Sequence, residues 1–142
     1  GLGAPVGSAI CGERELIDAA LRFRKMLGGG MRQVGILAAG ALYAIEHNRE
    51  RLADDHAAAA RLAQALRKLE GVTVDHVETN IINVAVAGDA AEVVARAEQR
   101  QVLLSAIGPR ALRLVTHLDV VGPNFDDCIE RVLQAHREAL HG

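Results

Sequence analysis

The stretch Arg110-Ala-Leu-Arg-Leu-Val-Thr-His-Leu-Asp-Val120 predicts the β-strand around which the rest of the chain is organised. Leu112 and Leu114 alternate with other residues, as expected for a strand that buries one face. Arg113 and His117 share the opposite face, because successive side chains of a strand point to opposite sides. The strand is apolar enough to belong to a core, so the arginine within it needs an explanation.

Two explanations of Arg113 are open at this point. A guanidinium group is permanently charged, and burying it without an anion is costly. One possibility is a structural ion pair with an internal aspartate or glutamate. The other is a planar fork that binds a substrate carboxylate through two parallel hydrogen bonds. The strand alone does not decide between them.

Composition narrows the class of protein. The chain has 142 residues, half of them apolar and a quarter charged, which predicts a globular protein. Its net charge of -2 is made of mixed signs, which argues against nucleic acid and anionic membranes as partners. The longest apolar run, residues 34–45, is too short to span a bilayer.

Cys11 and Cys128 are far apart, which predicts reduced core or near-core thiols in a cytoplasmic protein. His117 and Asp119 lack a third ligand at metal spacing, so no metal is expected.

The first third of the chain does not make a domain by itself. A glycine-rich turn leads into a predicted strand at residues 8–11, and a helix follows at 13–27 with one apolar stripe. Three glycines then precede a helix at 34–47 that is apolar on all sides, which predicts burial on most sides. Asn48 is a candidate cap of the next helix. The predicted strand has no evident partner strand, and these residues include too few other elements to bury the apolar helix.

The rest of the chain has the pattern of a compact domain. The predicted elements are a helix at 49–69, strands at 72–77 and 81–86, a helix at 90–99, strands at 102–105 and 112–115, and a helix from Asn124 to Leu140. This order indicates an α+β domain whose mostly antiparallel sheet is covered by helices.

The segment Gly28-Gly-Gly-Met-Arg-Gln33 stands at the head of the apolar helix. Free amide groups at a helix start, with Arg32 adjacent, make a plausible anion or phosphate site. A plain hinge is the alternative. The histidines and serines show no catalytic triad spacing, and no P-loop is present.

Several stretches together resemble the low-specificity threonine aldolases. They are Gly1-Leu-Gly-Ala-Pro-Val-Gly-Ser8, Phe23-Arg-Lys-Met26, Gly28-Gly-Gly-Met-Arg-Gln33, Ile36-Leu-Ala-Ala-Gly-Ala-Leu-Tyr43, Thr79-Asn80 and Arg113-Leu-Val-Thr-His-Leu-Asp119. The resemblance implies a pyridoxal-phosphate lyase of the aspartate-aminotransferase fold, the α/β fold type I. Such enzymes cleave threonine, allo-threonine and other 3-hydroxy amino acids to glycine and an aldehyde.

The resemblance also implies a domain organisation. Residues 1–47 correspond to the end of the large cofactor-binding domain, and residues 48–142 to the small C-terminal α+β domain. The family's Schiff-base lysine is expected immediately before Gly1, and the missing N-terminal part of the same protein carries the rest of the cofactor pocket. No catalytic residue is therefore expected in this chain, and the 142-residue chain alone is expected to be inactive.

Three residues inherit roles through the resemblance. Arg113 is expected to bind the substrate carboxylate, while Arg32 and Lys25 are expected to bind the cofactor or lie near it. Their alternatives are an interface ion pair for Arg32 and a solvated helix end for Lys25. A homodimer or homotetramer is expected. The competing functions are a related lyase for another β-substituted amino acid and a non-catalytic carboxylate-binding or interaction domain.

Overall fold

The computed structural model describes residues 1–141 and contains five helices and four strands within them. In chain order they are α1 (Arg14–Met26), α2 (Gly35–His47), α3 (Leu52–Leu66), β1 (Val72–Val74), β2 (Ile81–Val86), α4 (Ala90–Gln99), β3 (Ser105–Gly108), β4 (Ala111–Val115) and α5 (Phe125–His141). The chain divides into two compact units, one of Leu2–Glu50 and one of Gly1 with the residues from Arg51 onward. Residue 142, the predicted end of the second domain, lies outside the described residues.

The second unit contains a four-stranded sheet in the order β1-β2-β4-β3, with every neighbouring pair antiparallel. The central pair is in register with Asn83 opposite Arg113 and Ile82 opposite Leu114. On its other side, Arg113 is opposite Ser105 of β3. The predicted α+β domain with an antiparallel sheet is therefore confirmed.

One face of this sheet forms the core. Ile82 and Leu112 are fully buried, and helices α3, α4 and α5 supply Leu66, Val93 and Val132 to the same cluster. Burial of each large aliphatic side chain contributes about 1.5–3 kcal/mol relative to exposure. The other face of β2 and β4 is exposed, since burial alternates residue by residue along both strands.

The third predicted strand is displaced along the chain. It was expected at residues 102–105 and instead runs over Ser105–Gly108, turning at Pro109 into β4. Val102 is buried but Leu103 is 86% exposed. The apolar residues 102–104 therefore form the segment that precedes the strand, not the strand itself. The bounds of β3 are set by its hydrogen bonding to β4, and this pairing cannot be predicted from which residues are apolar.

Helix α3 begins later than predicted, and Asn48 does not cap it. The residue before α3 is Arg51. The Asn48 side-chain amide instead donates a hydrogen bond of 2.7 Å to the Leu2 carbonyl, within the first unit. Helix α4 matches its predicted bounds, and the Asp89 carboxylate caps it by accepting from the Ala91 amide at 2.9 Å.

The first unit differs from its prediction in two ways: a predicted strand is absent from its described residues, and its apolar helices are exposed. No strand forms at residues 8–11, because a strand needs a neighbour and the unit offers none within its described residues. In α2 only Ala44 is buried, whereas Ile36 is 83% exposed. The apolar stripe of α1 is exposed as well, including Phe23. The expectation that α2 is buried on most sides is thus wrong for the described residues.

The two cysteines have different surroundings. Cys11 is exposed, so its prediction as a core or near-core thiol is wrong. Cys128 is partly buried against the core, as predicted. None of the helices described over residues 1–141 combines the length and the apolar character that crossing a membrane requires.

Candidate functional site

Arg113 lies in the middle of β4 on the exposed face of the sheet. The strand alternates as the sequence predicts, with Leu112 and Leu114 buried and Arg113 exposed between them. The expectation of a buried arginine is therefore wrong, since the face opposite the core is open. The exposed guanidinium group does not carry the desolvation cost that a core position would impose.

Arg113 forms no ion pair with any other residue that the structure describes. Over residues 1–141, no carboxylate lies within 4.0 Å of its guanidinium nitrogens. Its cross-strand neighbours, Asn83 and Ser105, are uncharged. The first explanation of this arginine, a structural ion pair, is thus not what the described residues show. The five donors of its fork are available to an anion.

Arg113 borders a cleft of about 500 Å³ at the end of the sheet. One wall is the chain at 101–105, and the other is the end of β4 from Arg113 to His117. The cleft exists because β3 pairs with β4 only up to Arg113, which leaves the following residues of β4 without a neighbouring strand on that side. Helix α5 closes the floor with Phe125, Cys128 and Val132.

Two hydrogen bonds hold the end of β4 in place. The side-chain hydroxyl of Thr116 donates to the Asp55 carbonyl of α3 at 2.7 Å, and the Asn80 amide donates to the Thr116 carbonyl at 2.7 Å. Asn80 thus acts as a hydrogen-bonding residue of the turn that precedes β2. Arg51 pairs with the buried Asp55 carboxylate at 2.6 Å, which fixes the start of α3 beside this strand end.

The polar groups at the cleft are few. His117 Nδ1 accepts a hydrogen bond from the Asp119 amide at 3.3 Å, which in the neutral ring leaves the proton on Nε2. Burial raises the pKa of the Cys128 thiol; Asp127 also raises it, and Arg131 lowers it. Cys128 is thus a protonated thiol at neutral pH and a poor nucleophile. Within the described part of the chain, no three metal-ligating side chains cluster.

Lys25 and Arg32 belong to the first unit, apart from the cleft residues. Lys25 lies in the last turn of α1, and Arg32 lies in the turn that leads into α2. Both are exposed, and neither has a carboxylate within 4.0 Å over residues 1–141. The α2 start has no side-chain cap, so its amide groups are open to an anion.

Sequence reasoning identified Arg113 but missed the cleft beside it. Phe125 and Cys128 lie twelve and fifteen residues after Arg113, and Ser105 lies on another strand. Only the pairing of β3 with β4 brings these residues together. No pattern along the sequence indicated that they meet.

Comparisons with known proteins find a matching family model and several similar threonine aldolases. Residues 1–89 match the family described as "Beta-eliminating lyase". The low specificity L-threonine aldolase of Escherichia coli strain K12 is 47% identical over 84% of this chain and 35% of its own length. A probable low-specificity L-threonine aldolase 2 of Arabidopsis thaliana is 40% identical over 99% of this chain and 40% of its own. The chain thus spans little more than a third of these curated relatives.

A solved structure shows the same fold. An ornithine aminotransferase from Toxoplasma gondii, whose active site holds pyridoxal phosphate at partial occupancy, aligns with a TM-score of 0.62 at 18% identity. The alignment covers 74% of this chain and 26% of that one. The expected aminotransferase-type fold is therefore confirmed. With a family match over more than half of its residues, this chain belongs to the beta-eliminating lyase family.

Proposed function

We propose that the complete protein is a pyridoxal-phosphate-dependent lyase that cleaves L-threonine, L-allo-threonine and other 3-hydroxy amino acids to glycine and an aldehyde. The observation that carries the proposal is Arg113, an exposed guanidinium group without a carboxylate partner over residues 1–141. It lies in a chain that is 47% identical to a threonine aldolase over 84% of its length.

Arg113 binds the substrate carboxylate in this proposal. A fork of parallel N–H groups fixes the plane of a carboxylate as well as its position. That orientation decides which bond at the α-carbon is presented for cleavage, so the arginine contributes to rate as well as to affinity. Its position on a paired central strand keeps the backbone rigid beneath the long side chain.

The residues of the first unit fit a phosphorylated cofactor. Arg32 and Lys25 are exposed cations, and the uncapped α2 start presents amide groups beside Arg32. This donor set suits a phosphate dianion. When bound, pyridoxal phosphate supplies the electron sink for cleavage, and the protein supplies binding and orientation. Arg32 and Lys25 are the residues of this chain that we expect to hold the phosphate or to set the charge near it.

The exposed apolar surface of the first unit supports the inference that the cofactor site is incomplete in this chain. Ile36 of α2 and Phe23 of α1 are more than half exposed, in a chain about one third as long as its relatives. We infer that the remainder of the protein and a second subunit cover this surface, in a cytoplasmic homodimer or homotetramer. The 142-residue chain by itself is then inactive.

An absorbance spectrum of the complete gene product tests the proposal. After addition of pyridoxal phosphate and removal of the excess, we expect a visible band that shifts when glycine is added. The variant Arg113→Ala should keep the band but require a much higher glycine concentration for the shift. Arg110→Ala, an exposed arginine of the preceding turn, serves as the matched control. A protein that retains no cofactor, or a band that glycine does not move, would overturn the proposal.

A further inference from the structure

The glycine-rich segment at residues 2–7 has no secondary structure of its own, and it is held by contacts with α2. Residues 1–13 lie in no helix or strand. Over residues 1–141, no backbone–backbone hydrogen bond outside the helices and strands involves residues 2–7. Gly3 and Gly7 have positive φ angles of 76° and 129°. Such glycines give a segment much conformational entropy to lose, so its path must be fixed by its neighbours.

The first contact is a hydrogen bond from the end of α2. The Asn48 side-chain amide donates to the Leu2 carbonyl at 2.7 Å, across 46 positions of the chain. The Asn48 backbone amide donates to the carbonyl of the buried Ala44 at 2.9 Å, which ties Asn48 to the last turn of the helix. Of the two polar atoms of the Asn48 side chain, only its nitrogen can donate to a carbonyl. Asn48 thus holds one particular peptide group from a fixed base.

The second contact is a close approach of Pro5 to Gly40. A Cβ added to Gly40 would lie 3.1 Å from Pro5 Cδ and 3.4 Å from Pro5 Cγ, which is closer than ordinary van der Waals contact. Gly40 lies inside α2, where glycine is less favourable than alanine by about 1 kcal/mol. The absence of a side chain at Gly40 gives the proline ring room to lie against the helix.

We propose that Asn48 and Gly40 are positioning residues for the Schiff-base lysine, because they fix the segment that follows it. The proposal rests on the proposed function and on the lysine expected immediately before Gly1. Leu2 is two residues from that position, so the two α-carbons are at most about 7 Å apart. A displacement of about 1 Å at a reacting group lowers its rate by as much as about a hundredfold. The path of residues 2–5 therefore decides how well the lysine amine meets the cofactor.

Limited proteolysis of the complete gene product without pyridoxal phosphate tests the anchoring. Asn48→Ala removes one hydrogen bond, so cleavage within residues 2–7 by proteinase K should become about fivefold faster, as followed by mass spectrometry. Asn124→Ala, the same change at an exposed position before α5, should leave that rate unchanged. Cleavage of Asn48→Ala at the wild-type rate would overturn the proposal.

The placement of the lysine is tested by the rate at which the cofactor-free complete protein forms its visible band at saturating pyridoxal phosphate. In this step the lysine nitrogen bonds to the aldehyde carbon of the cofactor, and the aldehyde oxygen leaves as water. Asn48→Ala should slow the step roughly tenfold, whereas Asn124→Ala should match the wild type. A side chain that only stabilises the fold would lower the melting temperature without changing this rate. A wild-type rate in Asn48→Ala would refute the positioning role.

Gly40→Ala tests the second contact independently. The added Cβ displaces Pro5, so band formation should slow severalfold although alanine favours the helix. Pro5→Ala in the same protein removes the ring atoms that the Cβ meets and should restore most of the rate. A Gly40→Ala protein as fast as the wild type, or one that Pro5→Ala does not restore, would contradict the proposal. If the wild type itself forms no band, the proposed lyase function fails; a normal band formed equally fast by every variant refutes the positioning role alone.

Discussion

His136 of α5 should make the stability of this protein depend on pH in one predictable direction. Its side chain is 1% exposed, and Nδ1 lies 2.8 Å from the Val132 carbonyl. Nε2 is buried without a hydrogen-bond partner among the described residues. Burial lowers the pKa of the ring below 6.5, while the hydrogen bond to Val132 partly opposes that shift. A protonated ring would need a partner for each N–H group, and the apolar surroundings supply none at Nε2.

The sign of the effect follows from proton linkage. In the unfolded chain His136 binds a proton as the pH falls through about 6.5, and the folded state resists binding it. The unfolded state is therefore favoured progressively below that pH. The contribution to stability is fully present above pH 6.5 and is lost as the pH falls towards the lowered pKa of the folded state. Between about pH 7.5 and pH 5.5 the loss is at most about 1.4 kcal/mol from this group.

The variant His136→Leu isolates this contribution. Leucine is close in volume and has no group to titrate, and the Val132 carbonyl keeps its helical hydrogen bond from the residue 136 amide. Urea unfolding at the two pH values should show wild-type stability falling by up to about 1.4 kcal/mol more than that of the variant. Parallel losses of stability in the two proteins would refute the reasoning, since other titrating groups are common to both.

Two further substitutions test the packing around the site. Thr116→Val removes the hydroxyl that donates to the Asp55 carbonyl at 2.7 Å, so we expect a loss of about 1 kcal/mol in the free energy of unfolding, measured by urea denaturation. No change in midpoint would mean that this hydrogen bond does not hold the end of β4. Gly71→Ala places a Cβ at φ +69° and 3.1 Å from the Ala87 side chain, which should cost about 1–2 kcal/mol. A thermal melt as high as that of the wild type would contradict the strain at Gly71.

The second unit was predictable because its signals are local. Ile82 and Val84 alternate with exposed residues in β2, as Leu112 and Leu114 do in β4, and this period identifies both strands and their buried faces. Helix α4 has a capping aspartate and two inward valines within ten residues. The predicted position of β3 was wrong because residues 102–104 are all apolar and show no alternation. The strand begins at Ser105 because this residue pairs with Arg113 of β4, which the sequence does not reveal.

The burial of the first unit could not be read from this chain. Ile36 and Phe23 are apolar like core residues, but both side chains are more than half exposed in this chain. The same limit applies to the cleft, which forms where the chain at 101–105, the end of β4 and α5 converge. Arg113 was recognisable since a charged residue interrupts an apolar strand. Its exposure was not, because that depends on which face of the sheet the helices cover.

The measurement that tests the central claim most directly is the release of glycine and acetaldehyde from L-threonine by the complete gene product, with and without added pyridoxal phosphate. We predict cleavage that requires the cofactor. In Arg113→Lys, kcat/KM should fall by about ten- to a hundredfold, because a point charge replaces a bidentate fork. Arg110→Lys should match the wild type. Absence of cleavage in the presence of the cofactor, or an Arg113→Lys variant as active as the wild type, would contradict the account.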